Sequence, residues 1–425
     1  METNLCDRYK DTPEGIEANG ILRACVHCGL CTATCPTYQL LGDESDGPRG
    51  RIYLIKQALE GRPVSRITQH HLDRCLICTA CETTCPSGVR YHHLLGIGRD
   101  IVDAKVPRPL RERLQRVALR TFLPYPRRFA PVFGLSRAVG PVLPAAYRQT
   151  LGAATVARQR SRYEHTAPRE ESGAGTLALP RAGGQSRKVL VLAGCVQSVA
   201  TPGTNAALGR LLGRIGIEPV DEPKAGCCGA LSYHLGAAAE GMAFMRKNID
   251  AWWPHVTAGI EGIVISASGC AAMAKDYGHL LRHDPRYAEK AARVSSLVTD
   301  PVTLLADGDP ARLGITGEGR RIAFHAPCTL QHRLRAADGV ASLLTRLGFE
   351  LTPVADAHLC CGSAGSYSLL QPELSRQLLV NKLLRLEEGK PEVIVTANVG
   401  CQLHLGSRAG VPVVHWLEML VVRST

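Results

Sequence analysis

The sequence lacks the features that direct a chain through or into a membrane. Its first twenty residues contain no basic stretch followed by an apolar core, so we expect no cleaved export signal. The longest apolar runs, such as 188–196 and 262–266, are far shorter than the roughly 20 residues that cross a bilayer. Aromatic residues are also scarce, at 5%, so aliphatic side chains must supply most of the packing. The composition predicts a globular protein that is soluble or membrane-peripheral.

Motifs for nucleotide binding and acyl transfer are absent as well. We find no strand-linked G-x-G-x-x-G, no Walker loop and no nucleophile elbow. The chain therefore offers no site at which it would oxidise an organic substrate unaided. Such an oxidation releases two electrons with protons, and a flavin on a partner could convert them to single-electron transfer.

Cysteine, in contrast, is abundant, with seventeen residues in a chain of 425. Because no export signal is expected, metal ligation is favoured over disulfides. Two blocks fifty residues apart, Cys25–Pro36 and Cys75–Pro86, share the pattern C-x₂-C-x₂-C-x₃-C-P. Zinc ribbons use two separated C-x₂-C knuckles instead, which makes a pair of zinc sites the weaker alternative.

The spacing of each block fits ligation of a [4Fe–4S] cluster. Three cysteines at every third position can face one cluster, and in two-cluster ferredoxins the fourth cysteine of such a run binds the other cluster. We therefore predict two clusters with crossed ligation. The first set is Cys25, Cys28, Cys31 and Cys85; the second is Cys75, Cys78, Cys81 and Cys35.

The second half of the chain contains an internal repeat. In each copy a predicted strand ends at a cysteine, a Cys-Cys-Gly doublet follows thirty-two residues later, and a further strand closes on Gly-Cys. The strand ends of an open parallel sheet converge on one edge, so we expect the four cysteines of each copy to meet. The two sets are Cys195, Cys227, Cys228 and Cys270, and Cys328, Cys360, Cys361 and Cys401.

The chemistry of these eight cysteines stays open at this point. Each set could bind a further cluster, form a redox disulfide, or consist of buried thiols that pack as small hydrophobes. The redox alternative corresponds to a thiol–disulfide reductase that receives its electrons from the N-terminal clusters.

The net charge of +12 is concentrated in one segment. Between Val106 and Arg169 there are thirteen Arg, no Lys and only two acids, Glu112 and Glu164, for a net +11. The segment could be a solvated linker or a docking surface for anionic lipid or an acidic partner. It lacks a nucleic-acid-binding motif and contains eight prolines, so we expect no nucleic acid.

Several stretches resemble one known family, the iron–sulfur subunits of glycolate oxidase (glycolate dehydrogenase). They are Cys25–Pro36 with Thr37–Glu44, Gly47–Tyr53, and Leu72–Tyr91. The family continues into two cysteine-rich CCG domains, like the doublet repeats here. The resemblance implies an α+β multidomain fold: an all-α ferredoxin-like two-cluster module at 1–103, a basic Pro-rich helical linker at 104–186, and α/β CCG domains at 187–310 and 318–425.

The same resemblance implies the partners and the role. Flavoprotein subunits with FAD would oxidise glycolate to glyoxylate, and this chain would pass electrons through the eight N-terminal cysteines' clusters toward the quinone pool. The complex would be cytoplasmic or peripheral on the cytoplasmic face of the inner membrane. Anaerobic glycerol-3-phosphate dehydrogenase and lactate-oxidising enzymes share these modules. CCG domains often end in Cys-x-x-Cys, whereas Met273 and His404 stand at the last position here.

Overall fold

The computed structural model describes residues 1–139, 187–306 and 313–421. Of the predicted linker at 104–186, residues 140–186 lie outside these ranges. The chain divides into two compact units. The N-terminal unit comprises 1–119, 234–236 and 358–382, and the C-terminal unit comprises 120–233, 237–357 and the rest from 383. The predicted domain boundaries stay predictions.

All the regular elements in the first 139 residues are helices. Two 3₁₀ turns, Leu30–Thr32 and Glu44–Asp46, connect the α-helices. The helices are α1 (Asp7–Lys10), α2 (Pro13–Ala24), α3 (Pro36–Leu41), α4 (Pro48–Leu59), α5 (Arg66–Asp73), α6 (Ala80–Thr83), α7 (Tyr91–Lys105), α8 (Leu110–Phe122) and α9 (Pro126–Val139).

Local signals in the sequence account for the helices that hold the cysteine loops. In α4, Pro48 occupies the first turn, and Ile52, Ile55 and Leu59 form a buried i, i+3, i+7 stripe. A capping box at Ser65 begins α5, which ends at Arg74 and so delivers Cys75.

Close packing of α4 against α7 forms the core of the N-terminal unit. Gly98 of α7 faces Ile55, and a Cβ at that position would lie 2.5 Å from the Ile55 Cγ1. A larger residue would therefore push the helices apart. Leu22, Leu72 and Leu94 surround this contact and are 0–1% exposed.

The first repeat of the C-terminal half forms a four-stranded parallel sheet of order β2-β1-β3-β4. Its elements are β1 (Arg187–Val191), α10 (Gln197–Ala200), α11 (Pro202–Arg214), β2 (Ile217–Asp221), α12 (Ala230–His234), α13 (Ala238–Thr257), β3 (Gly262–Val264), α14 (Ser268–Lys275), α15 (Tyr277–Leu280), α16 (Ala288–Leu297), β4 (Val298–Thr299) and α17 (Pro301–Leu305).

The second repeat has the corresponding order, β6-β5-β7-β8, and is again fully parallel. Its elements are β5 (Arg321–His325), a π-helical turn (Thr329–Leu334), α18 (Ala337–Arg346), β6 (Glu350–Leu351), α19 (Tyr367–Leu370), α20 (Pro372–Glu387), β7 (Val393–Thr396), α21 (Val399–Gly406), β8 (Val413–His415) and α22 (Trp416–Met419). The predicted α+β class and the internal repeat are confirmed.

The two sheets contact each other within the C-terminal unit. The backbone N–H of Ser268 donates to the Ala397 carbonyl at 3.1 Å, and the buried His415 ring lies 3.2 Å from the Ser266 carbonyl. One buried cluster includes apolar side chains from both repeats, such as Val264 and Val395. Throughout the described residues, no helix combines the length and apolar character needed to cross a bilayer.

Candidate iron–sulfur site

The two cysteine loops of the N-terminal unit have the same unusual backbone. In the first loop His27 and Gly29 have φ of 57° and 83°, and in the second Ile77 and Thr79 have φ of 54° and 59°. These pairs occupy equivalent positions, fifty residues apart. The two left-handed residues of each loop lie two positions apart and reverse the direction of the backbone, so that successive cysteines of the loop face the same side of it. A β-branched residue such as Ile77 rarely tolerates this conformation, so the surrounding structure must impose it.

The first loop forms one wall of a cavity, hereafter the first cavity. Cys25, Cys28, Cys31 and Cys85, the four cysteines predicted to bind one cluster, all line it, and Cys81 does too. Cys25 and Cys28 come from the loop after α2 and Cys31 from the Leu30–Thr32 turn, whereas Cys85 follows α6. The fold therefore brings Cys85, from the second cysteine block, to the three cysteines of the first block.

The second cavity lies beside the second loop. Cys75, Cys78 and Cys81 line it together with Cys35 from the first block, which is the other predicted set. Cys81 and Tyr91 line both cavities, so the cavities share a wall. The assignment of each cysteine to a particular cluster stays a prediction.

The donor set of each cavity fits an iron–sulfur cluster. Burial raises the pKa of Cys25, Cys31 and Cys81, and neighbouring thiols contribute in the same direction. Together these effects bring the pKa of Cys31 to about 11. Thiolates crowded in such a place require a strong positive charge to offset their repulsion, and cluster iron supplies it. Among the described residues that line the two cavities there is no Asp or Glu to favour a harder cation.

A buried charged group at the second cavity was not foreseen from the sequence. Arg51 of α4 lines this cavity and is 1% exposed. Its guanidinium donates to the Thr37 hydroxyl at 3.2 Å and to the His71 carbonyl at 2.8 Å. Burial disfavours its charge, but Cys75 and Cys35 among its neighbours more than compensate and raise the pKa of Arg51. The side chain therefore stays cationic beside the predicted ligands.

Asp46 provides the countercharge and is fully buried. Its carboxylate lies 3.4 Å from Arg51 Nη2, 2.6 Å from Arg74 Nη1 and 3.1 Å from His71 Nδ1. This carboxylate thus joins α4 to α5 immediately before Cys75. The only signal in the sequence was the run Asp46–Arg51, which also contributes to the family resemblance.

A tyrosine from the second repeat also belongs to the N-terminal unit. Tyr367 of α19 is 6% exposed, and its hydroxyl donates to the Arg74 carbonyl at 3.1 Å. Burial raises the pKa of Tyr367, so it stays protonated. The segment that carries the second Cys-Cys-Gly doublet therefore packs next to the residue that precedes Cys75. Sequence spacing gave no indication of this contact.

The four cysteines of the first repeat meet, as predicted. Cys195 Sγ lies 3.6 Å from Cys227 Sγ, and Cys228 interacts with both Cys227 and Cys270. The hydrogen bond from Cys195 to Cys227, together with burial, raises the pKa of Cys195 well above its ordinary value. Buried thiols of high pKa are poor nucleophiles, and four in one place form a possible ligand set.

Two polar side chains fix this first doublet. Asn248 Nδ2 donates to the Cys227 carbonyl at 2.9 Å, and the Tyr277 hydroxyl donates to the Cys228 carbonyl at 2.8 Å. Gly229 follows with φ of 86°, and a Cβ there would lie 2.6 Å from the Gly241 carbonyl oxygen. Only glycine fits this turn.

The second doublet has the same turn. Gly362 has φ of 91°, and a Cβ would lie 2.6 Å from the Ser375 carbonyl oxygen. Cys360 and Cys361 belong to the N-terminal unit, whereas Cys328 and Cys401 belong to the C-terminal unit. The meeting of these four cysteines stays a prediction.

Comparison with known proteins assigns three segments of the chain to described families. Residues 21–89 match the family described as 4Fe-4S dicluster domain. Residues 189–275 and 322–406 each match the family described as cysteine-rich domain, CCG. These matches coincide with the two cysteine loops and the two doublet repeats.

Relatives extend the similarity to nearly the whole chain. The glycolate oxidase iron–sulfur subunit of Escherichia coli is 52% identical over 421 residues, which cover 99% of this chain and 98% of the relative. A probable glycolate oxidase iron–sulfur subunit of Bacillus subtilis is 31% identical, with 95% and 94% covered. Lactate utilization protein A of Bacillus licheniformis is 31% identical over 55% of this chain.

Proposed function

The chain belongs to the family of glycolate oxidase iron–sulfur subunits, and on that premise we propose that it relays electrons from a glycolate-oxidising flavoprotein to the respiratory quinone pool. Family membership makes it an iron–sulfur, electron-transferring part of an oxidoreductase. The proposal adds that two [4Fe–4S] clusters are held here, that FAD is on partner subunits, and that this chain does not itself bind glycolate. It also places the complex in the cytoplasm or on the cytoplasmic face of the inner membrane.

The shared wall of the two cavities is the observation that supports this proposal most. When bound, each cluster accepts and releases one electron at a time. Cys81 and Tyr91 line both cavities, so a second redox centre would stand directly beside the first. Two adjacent one-electron sites suit the stepwise transfer of the two electrons that a flavin collects.

The protein's own residues would hold and insulate these centres. The left-handed positions in each loop orient three thiolates, and the following Pro36 or Pro86 turns the chain away after the last ligand. Apolar groups such as Ile52 and Val89 line the first cavity. Arg51 contributes a positive charge at the second cavity, which favours the reduced, more negative state of any centre bound there.

Iron content and ligand replacement test the proposal. Anaerobically purified protein should contain about eight irons and give reduced-state EPR signals of two interacting clusters, as expected for two four-iron cubanes. The crossed ligation predicts that Cys85→Ser alters the same signal as Cys25→Ser, and Cys35→Ser the same signal as Cys75→Ser. Cys6→Ser is the matched control, because Cys6 lines neither cavity. A protein holding only zinc, or no metal, would contradict the proposal.

Lactate is the second candidate substrate of the complex, because lactate utilization proteins match just over half of this chain. Co-purification with the flavoprotein subunits, followed by dye reduction with glycolate, lactate and glycerol 3-phosphate in turn, separates the alternatives. Reduction that depends on lactate alone would reject glycolate. The disulfide-reductase alternative is weakened by the raised pKa of Cys195 and would require turnover of a disulfide that Cys227→Ser abolishes.

A further inference from the structure

We propose that the outward face of α8 (Leu110–Phe122) docks on the surface of an anionic lipid bilayer. The inference deepens the proposed peripheral location and rests on it, but it does not depend on which substrate the complex oxidises. The apolar stripe of α8 faces solvent, which is the reverse of the usual arrangement. Surface helices normally turn an apolar stripe toward the core and charged residues toward water.

Two charged residues of α8, Glu112 and Arg116, face the protein instead. Arg116 is 12% exposed in its side chain, and its Nη2 lies 3.3 Å from Asp73 Oδ1. Glu112 Oε2 lies 3.6 Å from Arg108 Nη1, and Glu112 also pairs with Arg66. Ion pairs therefore attach this helix to the N-terminal unit, where none of its residues is buried as an apolar anchor.

The apolar residues face away. Leu110, Leu114 and Val117 are 69%, 60% and 47% exposed, and their i, i+4, i+7 spacing places them in one stripe. Phe122, at the end of the helix, is 42% exposed. Each exposed side chain leaves apolar surface in water, at a cost that contact with an apolar medium would remove.

The charged residues beside the apolar stripe of α8 indicate which kind of surface it would bind. Arg111 and Arg113 are exposed, and every exposed charged side chain between residues 106 and 136 is an arginine. Glu112 is the one acid of that stretch, and it is engaged in the inward ion pairs. An apolar stripe with arginines and no exposed acid complements a surface that is apolar inside and anionic outside.

The composition of the stripe favours lipid over a partner protein. Protein interfaces are enriched in Tyr, Trp, Phe, Met and Arg, and Leu and Val are under-represented among the residues that carry their binding energy. Helix α8 contains no Tyr, Trp or Met and relies on Leu, Val and one Phe. Leucine and phenylalanine beside arginine are typical of helices that lie in the headgroup region of a membrane.

Vesicle binding by the cluster-loaded, full-length protein tests the inference. We expect co-sedimentation with vesicles of phosphatidylcholine and phosphatidylglycerol, and weak binding to phosphatidylcholine alone. Leu110→Ser and Leu114→Ser together should lower the partition coefficient by roughly tenfold per leucine, as estimated from the apolar area returned to water. Arg111→Gln and Arg113→Gln should each lower it about fivefold at low salt, and by less at high salt.

Matched surface changes serve as the control. Ile16 and Leu384 are 60% and 66% exposed, close to the values for Leu114 and Leu110, so Ile16→Ser with Leu384→Ser removes similar apolar surface elsewhere. The control should bind vesicles like the unchanged protein. Both double variants should keep their iron content and EPR signals, since these positions line neither cavity.

The possible outcomes separate this inference from the proposed function. Vesicle binding that survives Leu110→Ser/Leu114→Ser, or that the control loses equally, would overturn the assignment of α8. So would an unchanged protein that binds no vesicles, or a double variant that loses its flavoprotein partners while still binding lipid. Missing clusters or missing substrate-dependent dye reduction would instead defeat the proposed function, whatever the vesicles show.

Discussion

Replacing Arg51 by glutamine should lower the reduction potential of one cluster and leave the other nearly unchanged. Arg51 is 1% exposed and lines the second cavity, with Cys75 and Cys35 among the groups that stabilise its charge. A fixed positive charge favours the form of a nearby centre that carries the extra electron. Glutamine is neutral but retains an amide that can donate to the Thr37 hydroxyl or the His71 carbonyl.

The size of the shift follows from Coulomb's law. For a charge about 8 Å from a redox centre, at an effective dielectric constant of about 20, the interaction is about 2 kcal/mol. For a one-electron couple about 59 mV corresponds to a tenfold change in the equilibrium constant, so the expected decrease is about 70–90 mV. The first cavity lies farther from Arg51, which does not line it, and its centre should shift by much less.

EPR-monitored redox titration of the anaerobic protein measures both potentials. Arg51→Lys separates charge from structure, because lysine keeps the positive charge but not the hydrogen-bonding geometry, and should restore most of the potential. Arg108→Gln removes another poorly exposed arginine, paired with Asp73 at 2.5 Å, and should move neither potential. Equal shifts of both clusters, no shift, or a lysine variant that behaves like glutamine would refute the electrostatic reasoning. Iron content confirms that each variant has folded.

Three further predictions concern the C-terminal unit and its acid–base behaviour. Gly229→Ala places a side chain in a left-handed turn against a carbonyl group and should lower the free energy of unfolding by roughly 2–4 kcal/mol. The control Gly226→Ala meets no atom within 4 Å and should lower it by less than about 1 kcal/mol. Urea unfolding measures both. Burial raises the pKa of Asp300 to about 7, so ionisation of this carboxyl destabilises the fold as pH rises from about 4 to 7. Asp300→Asn should therefore increase the free energy of unfolding by roughly 2–4 kcal/mol at pH 8 and leave it unchanged at pH 4. Asp43→Asn, at an exposed cap whose hydrogen bond lowers the pKa of Asp43, should give no such gain, and an equal gain would contradict the burial argument. Burial lowers the pKa of His415 to about 4, so the contribution of the neutral ring to stability is complete above about pH 6.5 and decreases by about 3 kcal/mol as pH falls to 4. His415→Gln should remove this decrease from the plot of unfolding free energy against pH. An unchanged slope between pH 4 and about pH 6.5 would exclude this histidine as its source.

The predicted elements that the structure confirms are those with a local cause. The apolar runs that end in cysteine identified β1 and β5. The internal repeat was visible because both copies need a glycine after the doublet and a cysteine after a strand. Their common strand order follows from the same pattern of elements.

The sequence by itself determined which atoms are available for cluster chemistry, because cysteine spacing within a loop is a short-range property. It also gave the family, the repeat and the excess of arginine before residue 170. Tertiary structure alone decided which groups surround those thiols: Arg51 and Asp46 are buried together only because α4 and α5 pack at the second cavity, and Tyr367 reaches Arg74 across 293 positions. It likewise decided that α8 turns its ion pairs inward and its leucines outward. Burial and long-range charge pairing depend on the whole fold, and no local pattern encodes them.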